Sequence, residues 1–213
     1  MNTDLNQIYT AVLGGDLKLA VDTTRAAVEE GVSPNDIING YMIKAMEEIG
    51  ARFEAGKAFV PNLLMSARAM KGAMEVLKPL MKGESDAYIG KVVIGAVQGD
   101  LHDIGKNLVA SMLEGCGFEI INLGVDIPCE RFLSVAREEK ADIICLSALL
   151  TTTMERMKEI IDAVHSSDLN GKVKVMVGGA PISREYAESI HADAYSDNAN
   201  GAVAVAKALV NAR

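Results

Sequence analysis

The sequence predicts an α/β protein: an N-terminal four-helix bundle followed by a flavodoxin-like, Rossmann-type sheet of five parallel strands. Three observations predict it. Residues 1–82 place apolar side chains only at helical spacings. From Lys91 onward, short Val/Ile-rich runs alternate with helical stretches. Those runs are continuously apolar, as strands are in a parallel sheet covered on both faces. At 213 residues the chain has room for two small domains. The boundaries are expected at 1–82 for the helical domain, 83–90 for a linker and 91–213 for the sheet domain.

In the first half, Asp4 can cap a helix running to Gly14-Gly15, and Asp16 can start a second that ends at Gly31. Ser33-Pro34 is a start signal, a cap residue followed by proline in the first turn. The third helix then carries Ile38, Met42, Ala45, Ile49 and Phe53 on one face and stops near Gly56. Pro61 opens the fourth, with Leu63, Ala67, Met70, Met74 and Leu77 on its apolar stripe. Short turns between four amphipathic helices predict an antiparallel bundle.

In the second half, strands are expected at 91–97, 119–123, 141–146, 172–177 and 192–196. Helices are expected at 104–114, 129–139, 154–166, 184–190 and 202–212. Five βα units of this length predict strand order 2-1-3-4-5, with ligands bound beyond the carboxyl ends of the strands.

Composition narrows the function. The 21 basic and 29 acidic residues leave a net charge of −8, a poor match for nucleic acid, whose phosphates need clustered Lys and Arg. No apolar run approaches the ~20 residues of a membrane span. The start Met1-Asn2-Thr3-Asp4 has no basic or apolar leader character. The three cysteines Cys116, Cys129 and Cys145 contain no C-x-x-C and form no disulfide framework. A reducing cytoplasm is the expected location.

The strand-end rule points to three loops: Gly99–Asn107, Ser147–Thr153 and Gly178–Pro181. The first is not a phosphate loop. Five residues rather than four separate Gly99 from Gly105, and Asn107 stands where a magnesium-binding hydroxyl is required. Nor does G-x-G-x-x-G follow the first strand, or Asp end the third. What remains is His102 two residues after Asp100. Imidazole is a transition-metal ligand whose second nitrogen needs a partner such as a carboxylate. A solvated loop histidine beside a helix-capping Asp103 is the bland alternative. His165 and His191 lie far from this rim, so zinc would lack co-ligands. A single histidine suits a metal that brings its own macrocycle.

Asp100-x-His102-x-x-Gly105, 41 residues, Ser147-x-Leu149, 28 residues and Gly178-Gly179 together resemble the three-part signature of cobalamin-binding domains. The segment Met46–Leu64 is similar to the helical cap of methionine synthase and of the small corrinoid proteins of methylotrophic methyltransferase systems. The resemblance covers nearly the whole chain. It implies a cobalamin or related corrinoid bound base-off, with His102 as lower axial ligand to cobalt. Asp100 would hold the other ring nitrogen, and Thr153 would complete the relay. It places Leu101, Asp103, Ile104, Gly105, Ser147, Leu149, Thr151, Gly178, Gly179 and Ala180 around the cofactor and its displaced nucleotide tail. Phe53, Phe59, Val60 and Leu63 would cover the upper corrin face, with the linker as hinge.

The implied role is a corrinoid methyl carrier, a component without a complete active site of its own. Cobalt(I) would accept a methyl group from a substrate:corrinoid methyltransferase. Methyl-cobalt(III) would pass it to a corrinoid:folate or corrinoid:coenzyme M methyltransferase, and a reductive activase would restore lapsed cofactor. A cobalamin-binding sensor or storage module is the alternative. The donor is left open among methanol, methylamines, methoxylated aromatics and quaternary amines.

Overall fold

The structure is a computed structural model that describes residues 3–81 and 88–211. It divides into two compact units, a helical one that runs to Tyr88 and also takes in Glu114–Gly117, and a sheet-containing one that begins at Ile89 and holds the rest. Residues 83–87 of the expected linker lie outside the described residues.

The helical unit contains α1 (Asn6–Gly14), α2 (Leu17–Glu29), α3 (Pro34–Ile37), α4 (Ile43–Glu54) and α5 (Val60–Leu77). A π-helical turn, Ile38–Met42, joins α3 to α4, so the expected third helix is one rod with a bulge around Gly40. The caps follow the chemistry of the turn residues. Asp16 accepts the Leu19 amide, and Gly15, Gly31 and Gly56 take positive φ just past helix ends. Ser33 has extended backbone but makes no side-chain cap. The fourth helix begins one residue before Pro61, because Asn62 Oδ1 accepts the Phe59 N–H at 2.9 Å and closes its first turn. Ile8, Met42, Met46, Met70 and Leu77 are buried, and Ser66 Oγ donates to the Leu13 carbonyl.

The second unit alternates β1 (Lys91–Val97), α6 (Ile104–Gly115), β2 (Glu119–Ile127), α7 (Cys129–Glu138), β3 (Ile143–Ser147), α8 (Glu155–His165), β4 (Lys174–Gly178), α9 (Arg184–Ser189), β5 (Ala194–Tyr195) and α10 (Ala199–Asn211). All strands are parallel, in the order β2-β1-β3-β4-β5. Successive side chains point to opposite faces. Val93, Val97, Ile144, Leu146, Val175 and Val177 build a hydrophobic core with Phe132, Met157, Ile161 and Val164. Gly95 is part of that packing, because a Cβ there would lie 2.8 Å from the Phe132 ring. On the other face Ile94, Cys145 and Met176 stand in register on β1, β3 and β4.

Two elements differ from expectation. β2 runs on past Leu123 to Ile127, through Gly124 at φ 92° and register shifts opposite Gly95. β5 shrinks to two residues.

Candidate functional site

The site is assembled at the carboxyl ends of β1, β3 and β4. Its centre is Asp100, whose residue is fully buried. Oδ1 accepts the His102 backbone N–H at 3.0 Å and lies 2.9 Å from the His102 Nδ1. Oδ2 accepts the Leu149 N–H at 2.7 Å, the Leu150 N–H at 3.3 Å and the Thr153 hydroxyl at 2.7 Å. Burial alone would push this carboxyl up. The amides of Leu149 and His102, with the Thr153 hydroxyl and the imidazole, outweigh it and hold Asp100 well below the ordinary carboxylate range. An ionised carboxylate only accepts, so Nδ1 of His102 is the donor of this pair and Nε2 is the ring nitrogen that Asp100 leaves unengaged. The His102 side chain is 49% exposed, with the ring on a cavity rather than packed away.

The β1–α6 loop is itself braced. Gly99, at φ 85°, donates its N–H to Asp126 Oδ1 at 2.7 Å, and the Asp126 N–H donates to the Asp100 carbonyl at 3.0 Å. The unforeseen extension of β2 therefore positions the histidine loop. On the far side, Gly179 at φ 136° packs so tightly that a Cβ would fall 1.8 Å from the Ala148 carbonyl oxygen. Its role is to let two backbones meet.

Beside His102 a cavity of about 570 Å³ runs between α6 and α10, over a floor of Ile94, Cys145 and Met176. Leu101, Asp103, Ile104, Gly105, Ser147, Leu149, Gly178, Gly179 and Ala180 all line it. Asp100 and Thr153 sit behind His102 rather than on the cavity, and Thr151 is exposed outside it. Leu101 and Ile104 flank the imidazole as exposed apolar side chains. In the helical unit, Phe59 is 70% exposed, Val60 is also exposed and Phe53 is half-buried. Leu63 is a correction. It is 0% exposed, three residues on from Val60 on the inward side of α5, and offers no surface to a ligand.

Sequence reasoning missed Lys106, Leu108, Val109 and Cys145, and it missed the Ser196–Ala199 loop with Ala202. The loop after β5 obeys the same strand-end rule as the other three and could have been found by it. The helix residues carry no local signal. Burial pushes the Cys145 thiol up to about 12, so it is a neutral wall group.

Among the described residues no group of three or more His, Cys, Asp or Glu could hold a metal ion. One oriented imidazole at the mouth of a largely apolar cavity fits a metal whose other ligands come with it. Gly105 agrees, because a Cβ there would meet nothing within 4 Å and would project into space left open. The residues present therefore fit a corrinoid.

Comparison with known proteins points the same way. The B12 binding domain family matches residues 90–204, and a second family model, also described as B12 binding domain, matches residues 4–78. The chain is 45% identical to the dimethylamine corrinoid protein of Methanosarcina barkeri over 193 residues, 89% of this chain and 91% of that one. It is 40% identical to trimethylamine corrinoid protein 1 of Methanosarcina mazei over 202 residues, 94% of each. The crystal structure of the methanol:cobalamin methyltransferase complex of Methanosarcina barkeri superposes with a TM-score of 0.84 at 30% identity. The match covers 98% of this chain and 80% of that one.

Proposed function

Because this chain belongs to the corrinoid proteins with B12 binding domains, we propose that it carries methyl groups on a bound corrinoid between two methyltransferases. The observation that carries the reading is the His102 imidazole, with Nδ1 fixed on a buried carboxylate and Nε2 left to ligate. When bound, the corrinoid supplies a cobalt centre that takes up and releases the methyl group. His102 would be its lower axial ligand, in the base-off, His-on mode. The cavity between α6 and α10 would hold the displaced nucleotide tail.

The protein's own residues do the rest. Asp100 fixes the tautomer and direction of the ring, and Thr153 holds a proton on the second carboxylate oxygen. Asp100 would stabilise positive charge on the imidazole, and the Thr153 hydroxyl would keep the second carboxylate oxygen hydrogen-bonded. Leu101 and Ile104, exposed apolar side chains on the cavity wall, would give the lower face of a bound corrinoid an apolar seat.

The donor class is a methylamine, since the relatives at 40% and 45% identity are dimethylamine and trimethylamine corrinoid proteins. The partners are a methylamine:corrinoid methyltransferase, a methyltransferase acting on coenzyme M or tetrahydrofolate, and a reductive activase.

The test is to load the protein with cobalamin and offer mono-, di- and trimethylamine, methanol and a methoxylated aromatic with their donor methyltransferases. Methylation is expected with a methylamine system. Failure with every donor system would overturn the carrier role. His102→Ala should shift the visible spectrum away from the imidazole-ligated form while leaving the circular dichroism unchanged. An unaltered spectrum would remove His102 from the metal.

A further inference from the structure

We propose that Lys106 is the anion anchor of the cavity, binding the phosphodiester of the corrinoid's nucleotide tail, an assignment that rests on the carrier reading above. Lys106 lines the cavity, yet the residue is only 3% exposed. Its Nζ donates to Asn107 Oδ1 at 2.7 Å and to Asn122 Oδ1 at 2.8 Å. Both partners are neutral amides. An ammonium has three protons to donate, and the third has no acceptor among the described residues. No carboxylate forms an ion pair with it among those residues either. Burying a charge without a directly paired counter-charge is costly, and the carboxylate that acts on Lys106 through space, Asp103, is exposed, so a buried ammonium that opens on a cavity is a site for an anion.

Two further features agree. The N-terminal turn of α6, a 12-residue helix, lines the same cavity through Ile104 and Gly105, and helix N-termini favour negative charge. Two carboxylates, Asp103 and Asp197, also line the cavity, but both are exposed, where water screens them. Lys106 is buried, where its field is strong. A corrinoid with a nucleotide loop carries one fixed anion, the phosphodiester, and this is its natural counter-charge.

Lys106 also ties α6 to β2, so the experiment must separate anchoring from scaffolding. Lys106→Met removes the charge at nearly constant volume. Each amide oxygen it abandons keeps another donor: Asn122 Nδ2 to Asn107 Oδ1, and the Gly124 N–H to Asn122 Oδ1, both at 3.0 Å. The fold should therefore survive. Lys106→Gln gives a second, polar uncharged variant.

Each protein is titrated by visible absorption with cobalamin and with cobinamide, which lacks the nucleotide and its phosphodiester. The unaltered protein should bind cobalamin the more tightly. Both variants should lose about tenfold or more in cobalamin affinity and keep their cobinamide affinity. Equal loss for both corrinoids, or loss for neither, would overturn the assignment. So would equal affinity of the unaltered protein for the two. If the unaltered protein binds no corrinoid at all, the carrier reading falls and this inference with it.

Discussion

Asp100 is the residue on which the site turns, because a single buried carboxylate receives donors from its own loop, from the loop after β3 and from the imidazole. Its held-down pKa has a consequence with a definite sign. A carboxyl that ionises more readily folded than unfolded contributes stability above its unfolded pKa. That contribution fades as pH falls below the ordinary carboxylate value of 3.8. Asp100→Asn should therefore unfold with about 2 kcal/mol less stability at pH 7, the scale of buried hydrogen bonds to charge. The gap between variant and parent should narrow in urea titrations taken from pH 5 to pH 3. A constant gap would show that the lost bonds are not charge-assisted. Asp100 and His102 stood out in the sequence by their spacing in one loop at a strand end, whereas Thr153, on the separate segment after β3, was named only through the resemblance to cobalamin-binding domains. Lys106 did not stand out. It is one lysine in the first turn of a helix, and only the tertiary fold decides that it is buried against Asn122 of β2 rather than solvated.

Among the elements, the loops matter more than the strands they follow. The strand positions were readable from their Val and Ile runs. The length of β2 was not, because Gly124 and Asp126 look like turn residues. They form instead a bulged continuation whose Asp126 reaches back to Gly99 and Asp100. The Gly178-Gly179 turn was legible as a motif, but its physical reason was not. Gly179 is needed for contact with the backbone of Ala148, which no pattern of letters reveals. Gly179→Ala should cost about 3 kcal/mol or more, combining overpacking against a carbonyl with a positive φ. A melting temperature within a degree or two of the parent would show that the turn can shift to accommodate a methyl group. Leu63 shows the opposite error. An apolar residue three positions from an exposed Val60 is as consistent with a core stripe as with a ligand surface, and its burial decides for the core.

At the scale of the whole molecule, the two halves carry different parts of the reading. Every side chain that lines the cavity comes from residues 94–202, as do Asp100 and Thr153. A fragment beginning at Ile89 should accordingly still bind cobalamin with the imidazole-ligated spectrum. A fragment that folds, by circular dichroism, yet binds no corrinoid would show that the helical unit contributes to affinity. Among the described residues no helix is long and apolar enough to cross a membrane.

The bracing of Asp100 has one more implication. With both of its oxygens engaged and its loop pinned by Asp126, the imidazole stands on a rigid post. Under the ligation proposed above, a change in the length of a bond to Nε2 would be taken up by travel of the guest within its berth rather than by recoil of the host.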